Sequence, residues 1–414
     1  MTARSLVAVG VIGTLGLGVA ACGKKSSSGG GKASGTSLTI YSSLPLQGSS
    51  RDQSQAVING AKLALKERGG KVGKYKIKYV SLDDSTASAA AADPGQTSQN
   101  ARKASQDKST IAYIGEYNSG ATAVSLPILN QGGILQVSPL NTAVGLTSNA
   151  PGHEPGTPDK YYPTGKRTYG RVVPKDTVQG AALATLMTGE GCKAVYILND
   201  KSVYGAGLAR NVEIAAKAAG LKVDGDQGID PKAPNYRSQA QQIKSDCFMF
   251  SGTVDQNAVQ VYKDVAAADS SAKLFGADGV AQAAFSDPKQ GGIPANIASR
   301  TIVTVAKLDS SQYPPAGRKF FKDYSRVYKV KNPDPYAIYG YESMNIVLDS
   351  IQKAGAKGND RQAVIDAFFN QKNRKSVLGT YSIDKNGDTT LTDYGSYKIQ
   401  GGALAFYKTI KAKK

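Results

Sequence analysis

In the first half of the chain, the residues best suited to chemistry are polar side chains that directly follow strand-like segments. Residues 43–48, 115–120 and 138–142 are such segments, and Ser119 and Thr142 stand next to predicted helix starts. Open α/β sheets bind ligands at the carboxyl ends of their strands, and the free N–H groups of a helix start attract anions. This spacing predicts a carboxylate site, although each hydroxyl taken alone is more simply a helix cap or a turn residue.

A second set of polar residues follows strand-like runs in the second half of the chain. Tyr204 comes after the run 193–198, Thr253 after the run 247–251, and Asp278 stands close to glycines after a third run. A carboxylate at Asp278 could face the first set and pair with a cation. A surface turn uses the same residue types, so that alternative stays open.

The residue types give little support to catalysis. His153 is the single histidine, and it lies in a Pro- and Gly-rich segment that would hold a catalytic side chain loosely. There is no His/Cys cluster with zinc spacing and no phosphate-binding glycine loop. Residues 384–388 faintly resemble the start of a calcium loop, but Gly395 stands at the position of the twelfth, acidic ligand. A β-turn is favoured there, and we predict no catalytic residue, metal or cofactor.

The N-terminus predicts export and attachment to a membrane. An apolar run over residues 6–19 follows Arg4 and ends in two alanines and Cys22. The run is too short for a membrane-spanning helix and resembles bacterial lipoprotein signals, in which the cysteine carries the lipid. We predict a signal peptide over residues 1–21 and lipidation at Cys22. The alternative is an ordinary secretory cleavage that leaves Cys22 as a spare thiol.

Residues 22–37 predict a flexible tether. The segment is rich in Gly and Ser and has no apolar residue larger than Ala after the cysteine, so it cannot bury enough surface to fold. A coil of this length spans on the order of 20 Å, which would hold a globular body clear of lipid headgroups.

Beyond the tether, strand-like runs alternate with helical patterns. The order β-α-β-α-β-α-β up to Ser138, with one helix over 87–106, is typical of a parallel sheet that carries helices on both faces. The pattern breaks in a Pro- and Gly-rich insertion at 149–163 and resumes as a second series from Lys193. We therefore predict an α/β protein with two doubly wound lobes, which suits a chain of 414 residues.

Cys192 and Cys247 are predicted to form a disulfide. Each stands just before a strand-like run of the second series. The first and third strands of a doubly wound sheet are parallel neighbours, so both sulfurs would lie at the same edge, and an oxidising compartment permits the bond. The alternative is a pair of small buried hydrophobic side chains.

The charge of the chain is strongly basic, with 51 Lys and Arg against 32 Asp and Glu and a formal net charge of +19. The basic residues are scattered singly and an exported protein meets no genome, so nucleic acid is not a predicted partner. The surplus favours solubility, and attraction to anionic lipids or acidic envelope polymers is a further consequence.

A series of short motifs runs through nearly the whole chain after the tether. The motifs lie at residues 44–48, 59–64, 69–73, 83–84, 114–119, 127–128, 137–139, 146–147, 171–174, 176, 179–180, 204–209, 278–280 and 339–343. In this order they resemble the type I periplasmic binding proteins, in particular the branched-chain amino acid (Leu/Ile/Val) binding family of ABC transporter receptors.

The resemblance implies two lobes that are joined by three hinge crossings and trap a ligand between them. We place the first lobe at residues 38–173 plus 307–376 and the second at residues 174–306 plus 377–414. A monomer is expected, with an ABC permease as its protein partner and membrane contact through the lipid anchor.

The resemblance also implies the roles of five site residues. Ser119, Thr142 and the backbone near Leu140 would hold the ligand carboxylate, Asp278 would meet the α-ammonium group, and Tyr204 would cover the ligand from the second lobe. A buried zwitterion needs both of its ends paired, which agrees with these roles.

Two positions in the expected ligand pocket depart from the family pattern. Thr253 stands where the leucine-binding members have a tyrosine, and Gln53 replaces an aromatic residue. The insertion at 149–163 has no counterpart in the shortest members. These changes leave the side chain of the ligand open.

We therefore expect an extracytoplasmic lipoprotein, periplasmic or at the cell surface, that delivers a small zwitterion to an ABC importer. An amino acid, branched-chain or other, is the expected ligand. The alternatives are a sensory or adhesive envelope lipoprotein of the same fold, and a binder of amides or aromatic acids.

Overall fold

The computed structural model describes residues 31–412. The predicted signal peptide, the predicted lipidation site Cys22 and the first part of the predicted tether lie outside the described residues.

The chain alternates strands and helices in the order that the sequence predicts. The strands are β1 (Ser37–Leu44), β2 (Lys71–Val72), β3 (Tyr75–Asp83), β4 (Thr110–Ile114), β5 (Leu135–Ser138), β6 (Tyr169–Arg171), β7 (Ala194–Asn199), β8 (Lys222–Gly228), β9 (Cys247–Ser251), β10 (Lys273–Gly276), β11 (Thr301–Val305), β12 (Arg374–Ser376), β13 (Gly379–Tyr381), β14 (Asp393–Gln400) and β15 (Ala403–Lys411). The α-helices are α1 (Arg51–Glu67), α2 (Pro94–Gln106), α3 (Ser119–Gln131), α4 (Asp176–Gly189), α5 (Val203–Ala218), α6 (Arg237–Gln242), α7 (Ala258–Ala268), α8 (Ala283–Ser286), α9 (Ala295–Ala298), α10 (Pro315–Tyr328), α11 (Ala337–Ala354) and α12 (Arg361–Phe369).

Two large sheets define the two lobes. The first has the strand order β2-β3-β1-β4-β5-β6 and is parallel except at β2. The second has the order β15-β14-β11-β10-β9-β7-β8 and is parallel except for the hairpin of β14 and β15. The chain passes between the sheets after β6, after β11 and before β14. The predicted α/β fold of two doubly wound lobes and three crossings is confirmed.

Buried strands and closely packed helices hold each lobe together. Every residue of β4, β9 and β11 is buried, as expected for strands that are covered by helices on both faces. Helix α1 packs on α11 through two glycines, because a Cβ on Gly60 would collide with the backbone of Ala337 and one on Gly340 with that of Val57. Larger residues there would push the two helices apart.

The predicted disulfide between Cys192 and Cys247 is present, with a Cα–Cα distance of 5.8 Å. Strands β7 and β9 are parallel neighbours, and Val195 lies opposite Cys247 in their register. The adjacency of the first and third strands of the second lobe therefore brings the two sulfurs together, as the sequence predicts.

The last part of the predicted tether is held against the first lobe. Ala33 is buried, and its N–H donates to the carbonyl oxygen of Asn359 at 2.7 Å. Lys32 forms an antiparallel bridge with Asp360, and the N–H of Ser34 donates to Lys108 at 2.8 Å. The prediction of a flexible coil as far as residue 37 does not hold here, because a backbone that cannot fold alone still gains hydrogen bonds from a formed surface.

The predicted helix over 87–106 starts later than the alanine-rich pattern suggests. Helix α2 begins at Pro94, and Asp93 caps it by accepting the N–H of Gln96 at 2.8 Å. An Asp before a Pro at the first helical position is a strong start signal, and it outweighs the helix propensity of the preceding alanines.

The predicted boundary between the lobes near residue 376 differs from the contacts in the structure. The hydroxyl of Tyr381 donates to Glu342 of α11 at 2.7 Å, and Asp388 accepts from Arg171 of β6 at 2.8 Å. Residues 377–390 therefore pack on the first lobe, and the last crossing lies just before β14. Strand pairs this short carry little sequence signal of which sheet they will approach.

Candidate functional site

A small cavity between the lobes brings together all seven residues for which the sequence predicts ligand contacts. They are Gln53, Ser119, Leu140, Thr142, Tyr204, Thr253 and Asp278. The cavity volume is about 30 Å³. The lobes therefore stand close together over the site in this structure.

The sheet topology explains why these residues meet. The first-lobe residues follow β1, β4 and β5, and the second-lobe residues follow β7, β9 and β10, in each case beyond the carboxyl end of the strand. Both sheets point these ends at the same cleft. Loops that are far apart in the sequence thus converge on one cavity.

The first lobe supplies the groups suited to an anion. Ser119 begins α3, and Asn118 before it makes no side-chain cap, so the first-turn N–H groups remain for another acceptor. The Ser119 hydroxyl oxygen accepts the N–H of Ala143 at 3.3 Å, which leaves its hydrogen for a ligand. Together with Thr142 on the same wall, this helix start suits a carboxylate.

The second lobe supplies a buried carboxylate. Asp278 is 7% exposed, and its two oxygens accept hydrogen bonds from Tyr204 Oη and Tyr336 Oη, both at 2.7 Å. Burial raises the pKa of Asp278, and the two hydroxyls offset part of this rise. No cation pairs with Asp278 among residues 31–412. A ligand ammonium group would therefore satisfy it.

A second buried carboxyl group lies behind the site. Asp176 begins α4 just after the first crossing and is fully buried. Within the described part of the chain, neither of its oxygens has a hydrogen bond of good geometry. Burial, together with the nearby charge of Asp278, raises the pKa of Asp176 to about 8.

This raised pKa predicts a pH dependence of stability that one substitution removes. The unfolded Asp176 loses its proton near pH ~4 and the folded one at about 8, so the folded state holds the extra proton in between. Stability should fall as pH rises through this window, by up to roughly 1.4 kcal/mol per pH unit. Melting curves of Asp176→Asn should show a stability advantage over the wild type that grows from about pH 4 to about pH 8. A stability advantage of Asp176→Asn that stays constant with pH would contradict the raised pKa of Asp176. An equal pH-dependent advantage in the exposed control Asp366→Asn would also contradict it.

Two tyrosines that the sequence analysis did not single out also line the cavity. Tyr117 donates to Gln53 Oε1 at 2.5 Å and accepts from Gln282 Nε2 at 2.7 Å, which links the two lobes. Tyr336 links them through Asp278. Tyr117 lies within the segment 115–120, and this position could have identified it as a site residue from the sequence. Tyr336 follows no strand, so only the fold reveals it.

The insertion at 149–163 contacts both lobes. Tyr161 and Tyr162 are buried in a cluster with first-lobe residues, and the carbonyl oxygen of Gly152 accepts from Arg210 of α5 at 3.2 Å. His153 lies in this segment and bonds to the backbone of Ala150, away from the cavity. The segment predicted as an irregular extension is thus anchored by its aromatic side chains.

The faint calcium-like segment forms a turn. Asp384 accepts the N–H groups of Asn386 at 2.8 Å and Asp388 at 2.9 Å, while the Asp388 side chain pairs with Arg171 and Lys175. Over residues 31–412, no group of three or more His, Cys, Asp or Glu could hold a metal ion. Among those residues there is also no helix with the length and apolar character needed to cross a bilayer.

Two α/β lobes define a two-lobed solute-binding protein, because the cleft between them has a helix start with hydroxyl groups on one wall and a buried carboxylate on the other. The chain belongs to the periplasmic binding protein family, whose family model matches residues 39–403. This membership indicates an extracytoplasmic location.

Several known proteins are similar to the chain over most of its length. The Leu/Ile/Val-binding protein BraC3 of Rhizobium johnstonii is 26% identical over 377 residues, which cover 89% of this chain and 93% of that protein. The crystal structure of a leucine binding protein LivK from Thermotoga maritima has a TM-score of 0.77 at 20% identity and covers 90% of this chain and 99% of that one. A solute binding protein from R. palustris in complex with benzoate has a TM-score of 0.74 at 18% identity, with coverages of 91% and 97%.

Proposed function

We propose that the protein captures a small zwitterionic ligand, an amino acid, between its two lobes and delivers it to an ABC importer. The observation that carries this proposal is the charge arrangement of the cavity. A helix start and the Ser119 hydroxyl lie on one wall, and the buried Asp278, which has no cationic partner within residues 31–412, lies on the other. An α-amino acid presents a carboxylate and an ammonium group to these two walls.

The two lobes give the site a means of responding to its ligand. The carboxylate contacts come from the first lobe and the ammonium contact from the second, so a bound zwitterion joins the lobes. A ligand favours the closed form only through contacts that it makes better there than in the open form. The closed protein would then present a distinct surface to a permease, which is the expected protein partner.

Attachment to the membrane, the type of amino acid and the oligomeric state are also part of the proposal. Lipidation at Cys22 would keep the protein at the outer face of the cell membrane. The names of the relatives favour a branched-chain amino acid, while Gln53 and Thr253 add polar groups to the cavity wall. We propose binding as a monomer and no turnover of the ligand.

A thermal-shift screen of the purified protein against amino acids, amides and aromatic acids tests the ligand class. A bound ligand raises the apparent melting temperature by mass action. A response to amino acids alone supports the proposal. Responses confined to amides or aromatic acids, or binding to anionic polymers that disappears with salt, would support the alternatives instead.

Substitution Ser119→Ala tests the carboxylate end of the cavity. It removes a hydrogen bond to a charged group, which contributes about 1.5–3 kcal/mol, so the Kd of the amino acid should rise by roughly 10-fold or more. Isothermal titration calorimetry measures the change. Ser270→Ala, at an exposed position outside the cavity, is the matched control and should leave the Kd unchanged. An equal Kd in Ser119→Ala and Ser270→Ala would remove Ser119 from the site.

A further inference from the structure

A second and much larger groove lies between the lobes beside the cavity. Its volume is about 830 Å³, within the range of sites that hold small molecules. The first lobe contributes α10 and the loop 331–335, and the second lobe contributes residues 281–290 and the hairpin of β14 and β15. The crossing at residues 307–310 lies between these walls.

The groove is separate from the amino-acid cavity. The two spaces share no lining residue. Gln53 of the cavity donates to Asp334 of the groove at 3.0 Å and to the carbonyl oxygen of Ala281 at 3.4 Å, and these contacts close the wall between them. A ligand in the groove would therefore be a second ligand and not an extension of the first.

Three lysines line the groove. Lys307, Lys322 and Lys331 form no ion pair and donate no side-chain hydrogen bond within residues 31–412. Lys322 and Lys331 are exposed at the rim, whereas Lys307 is half-buried. These ammonium groups are free to meet an anion.

The carboxylates of the groove are already engaged by neighbouring donors. Asp309 accepts the N–H and the hydroxyl of Ser311, and Asp287 accepts the N–H of Lys289 at 2.9 Å. Asp334 accepts from Gln53 and from the N–H of Tyr336. The charges of the three acids and the three lysines balance in number, but the carboxylate oxygens already hold hydrogen bonds, whereas the lysine ammonium groups keep their donors for a ligand.

Lys307 is the most constrained of the three cations. Its Nζ lies 5.5 Å from the centre of the Phe321 ring, and burial lowers its pKa. The nearby charges of Asp334 and Asp309 compensate this burial only in part, and neither carboxylate forms an ion pair with Lys307, so an anion in the groove would stabilise the ammonium group further.

Aromatic side chains form the remaining walls near Lys307. Phe321, Tyr397 and Phe406 line the groove, and the rings of Tyr397 and Phe406 meet edge to face at 5.6 Å. Such rings pack well against a flat apolar body. Lysines beside aromatic walls suit a carboxylate that is carried on an aromatic ring.

We propose that this groove is a second ligand site, for a small aromatic carboxylate, distinct from the amino-acid cavity. The carboxylate pairs with Lys307, the ring packs against Phe321 and the hairpin of the second lobe, and Lys322 and Lys331 attract the anion from the rim.

Calorimetry with isophthalate as the probe tests this site on the purified protein. We expect binding that Lys307→Met weakens by about 10-fold or more, because a charge-assisted contact is lost. Lys62→Met, on the exposed side of α1, is the matched control and should not change isophthalate binding. Ser119→Ala should not change it either, while amino-acid binding should survive Lys307→Met.

Three outcomes would overturn the proposal. The first is that the wild type does not bind isophthalate at millimolar concentration. The second is that isophthalate binding is weakened in Ser119→Ala but not in Lys307→Met. The third is that Lys62→Met weakens isophthalate binding as much as Lys307→Met does. If Lys307→Met does not fold, the double variant Lys322→Met/Lys331→Met at the exposed rim replaces it. That variant should weaken isophthalate binding and leave the melting temperature unchanged, and unchanged binding would reject the site.

Discussion

Substitution Asp278→Asn is expected to weaken amino-acid binding by roughly 30-fold to several thousand-fold, which corresponds to ~2–5 kcal/mol for removing one partner of a buried charge pair. The amide keeps the shape of the side chain; its oxygen can still accept from one of the two tyrosines and its NH2 group can donate to the hydroxyl oxygen of the other, so the folded structure should persist. The charge that faces the ligand ammonium is lost, and one tyrosine hydroxyl has to rotate so that it accepts instead of donating. Isothermal titration calorimetry with the amino acid found by the screen measures the effect.

A ligand without an amino group separates this effect from a general loss of the site. If leucine is the ligand, its des-amino analogue 4-methylpentanoate should bind the wild type weakly and Asp278→Asn no worse. The exposed variant Asp366→Asn should bind leucine as the wild type does. Equal leucine affinity in Asp278→Asn and the wild type would refute the role of Asp278, and the proposed zwitterion site with it.

The second large effect is expected on stability, from Arg171→Met. Arg171 is fully buried, and its Nε donates to Asp388 at 2.8 Å. Its Nη1 donates to the carbonyl oxygens of Asn141 at 3.1 Å and Ala143 at 2.9 Å, and Nη2 donates to Thr147 at 2.5 Å. Removing the guanidinium leaves the buried Asp388 carboxylate with only Lys175 as a partner among residues 31–412 and leaves several buried acceptors without donors, which should cost about 3–5 kcal/mol.

Thermal and urea denaturation of the variants would measure this loss. Arg102→Met is the control, because Arg102 is exposed and its side chain bonds only to Ser98 within the described residues, so its loss should cost less than about 1 kcal/mol. The double variant Arg171→Met/Asp388→Asn should be less destabilised than the sum of the two single variants, since the buried charge is removed with its partner. A loss in Arg171→Met no larger than in Arg102→Met would contradict the structural role.

Arg171 also connects stability to the site. Two of its acceptors, the carbonyl oxygens of Asn141 and Ala143, flank Thr142 in the loop after β5. The loop that carries part of the carboxylate site is thus fixed by a buried cation at the first crossing. Ligand affinity in Arg171→Met should fall together with stability, although Arg171 does not line the cavity.

Much of the fold could be predicted from local patterns in the sequence. Strand-like runs that alternate with segments of helical spacing predicted two α/β lobes. The reason is that the hydrophobic residues on the buried face of a strand or helix recur with the period of that element. The disulfide between Cys192 and Cys247 followed from the adjacency of the first and third strands, which holds for doubly wound sheets of the order 2-1-3-4-5. Likewise, the residues after β4, β5, β7 and β10 could be named as site candidates, because parallel strands place their carboxyl ends at one edge.

Other features depend on contacts between segments that are distant in the chain and could not be predicted from local patterns. Lys32 and Ala33 look like coil because the partners at Asn359 and Asp360 are more than 300 residues away in the chain. The contact between Tyr336 and Asp278 could not be predicted either, because the two residues lie in different lobes and are distant in the chain. The raised pKa of Asp176 requires burial beside Asp278, which no local pattern reveals.

Composition and periodicity were enough to establish the class of fold, the order of its elements and the types of residue at the strand ends, because these follow from local hydrophobic spacing and turn chemistry. Tertiary structure alone decided the closeness of the two lobes, the tyrosines that bind Asp278 and the groove lined by Lys307. The physical reason is that burial and hydrogen bonding between remote segments arise only when both lobes are assembled, and their free energy is not encoded in any single stretch of sequence.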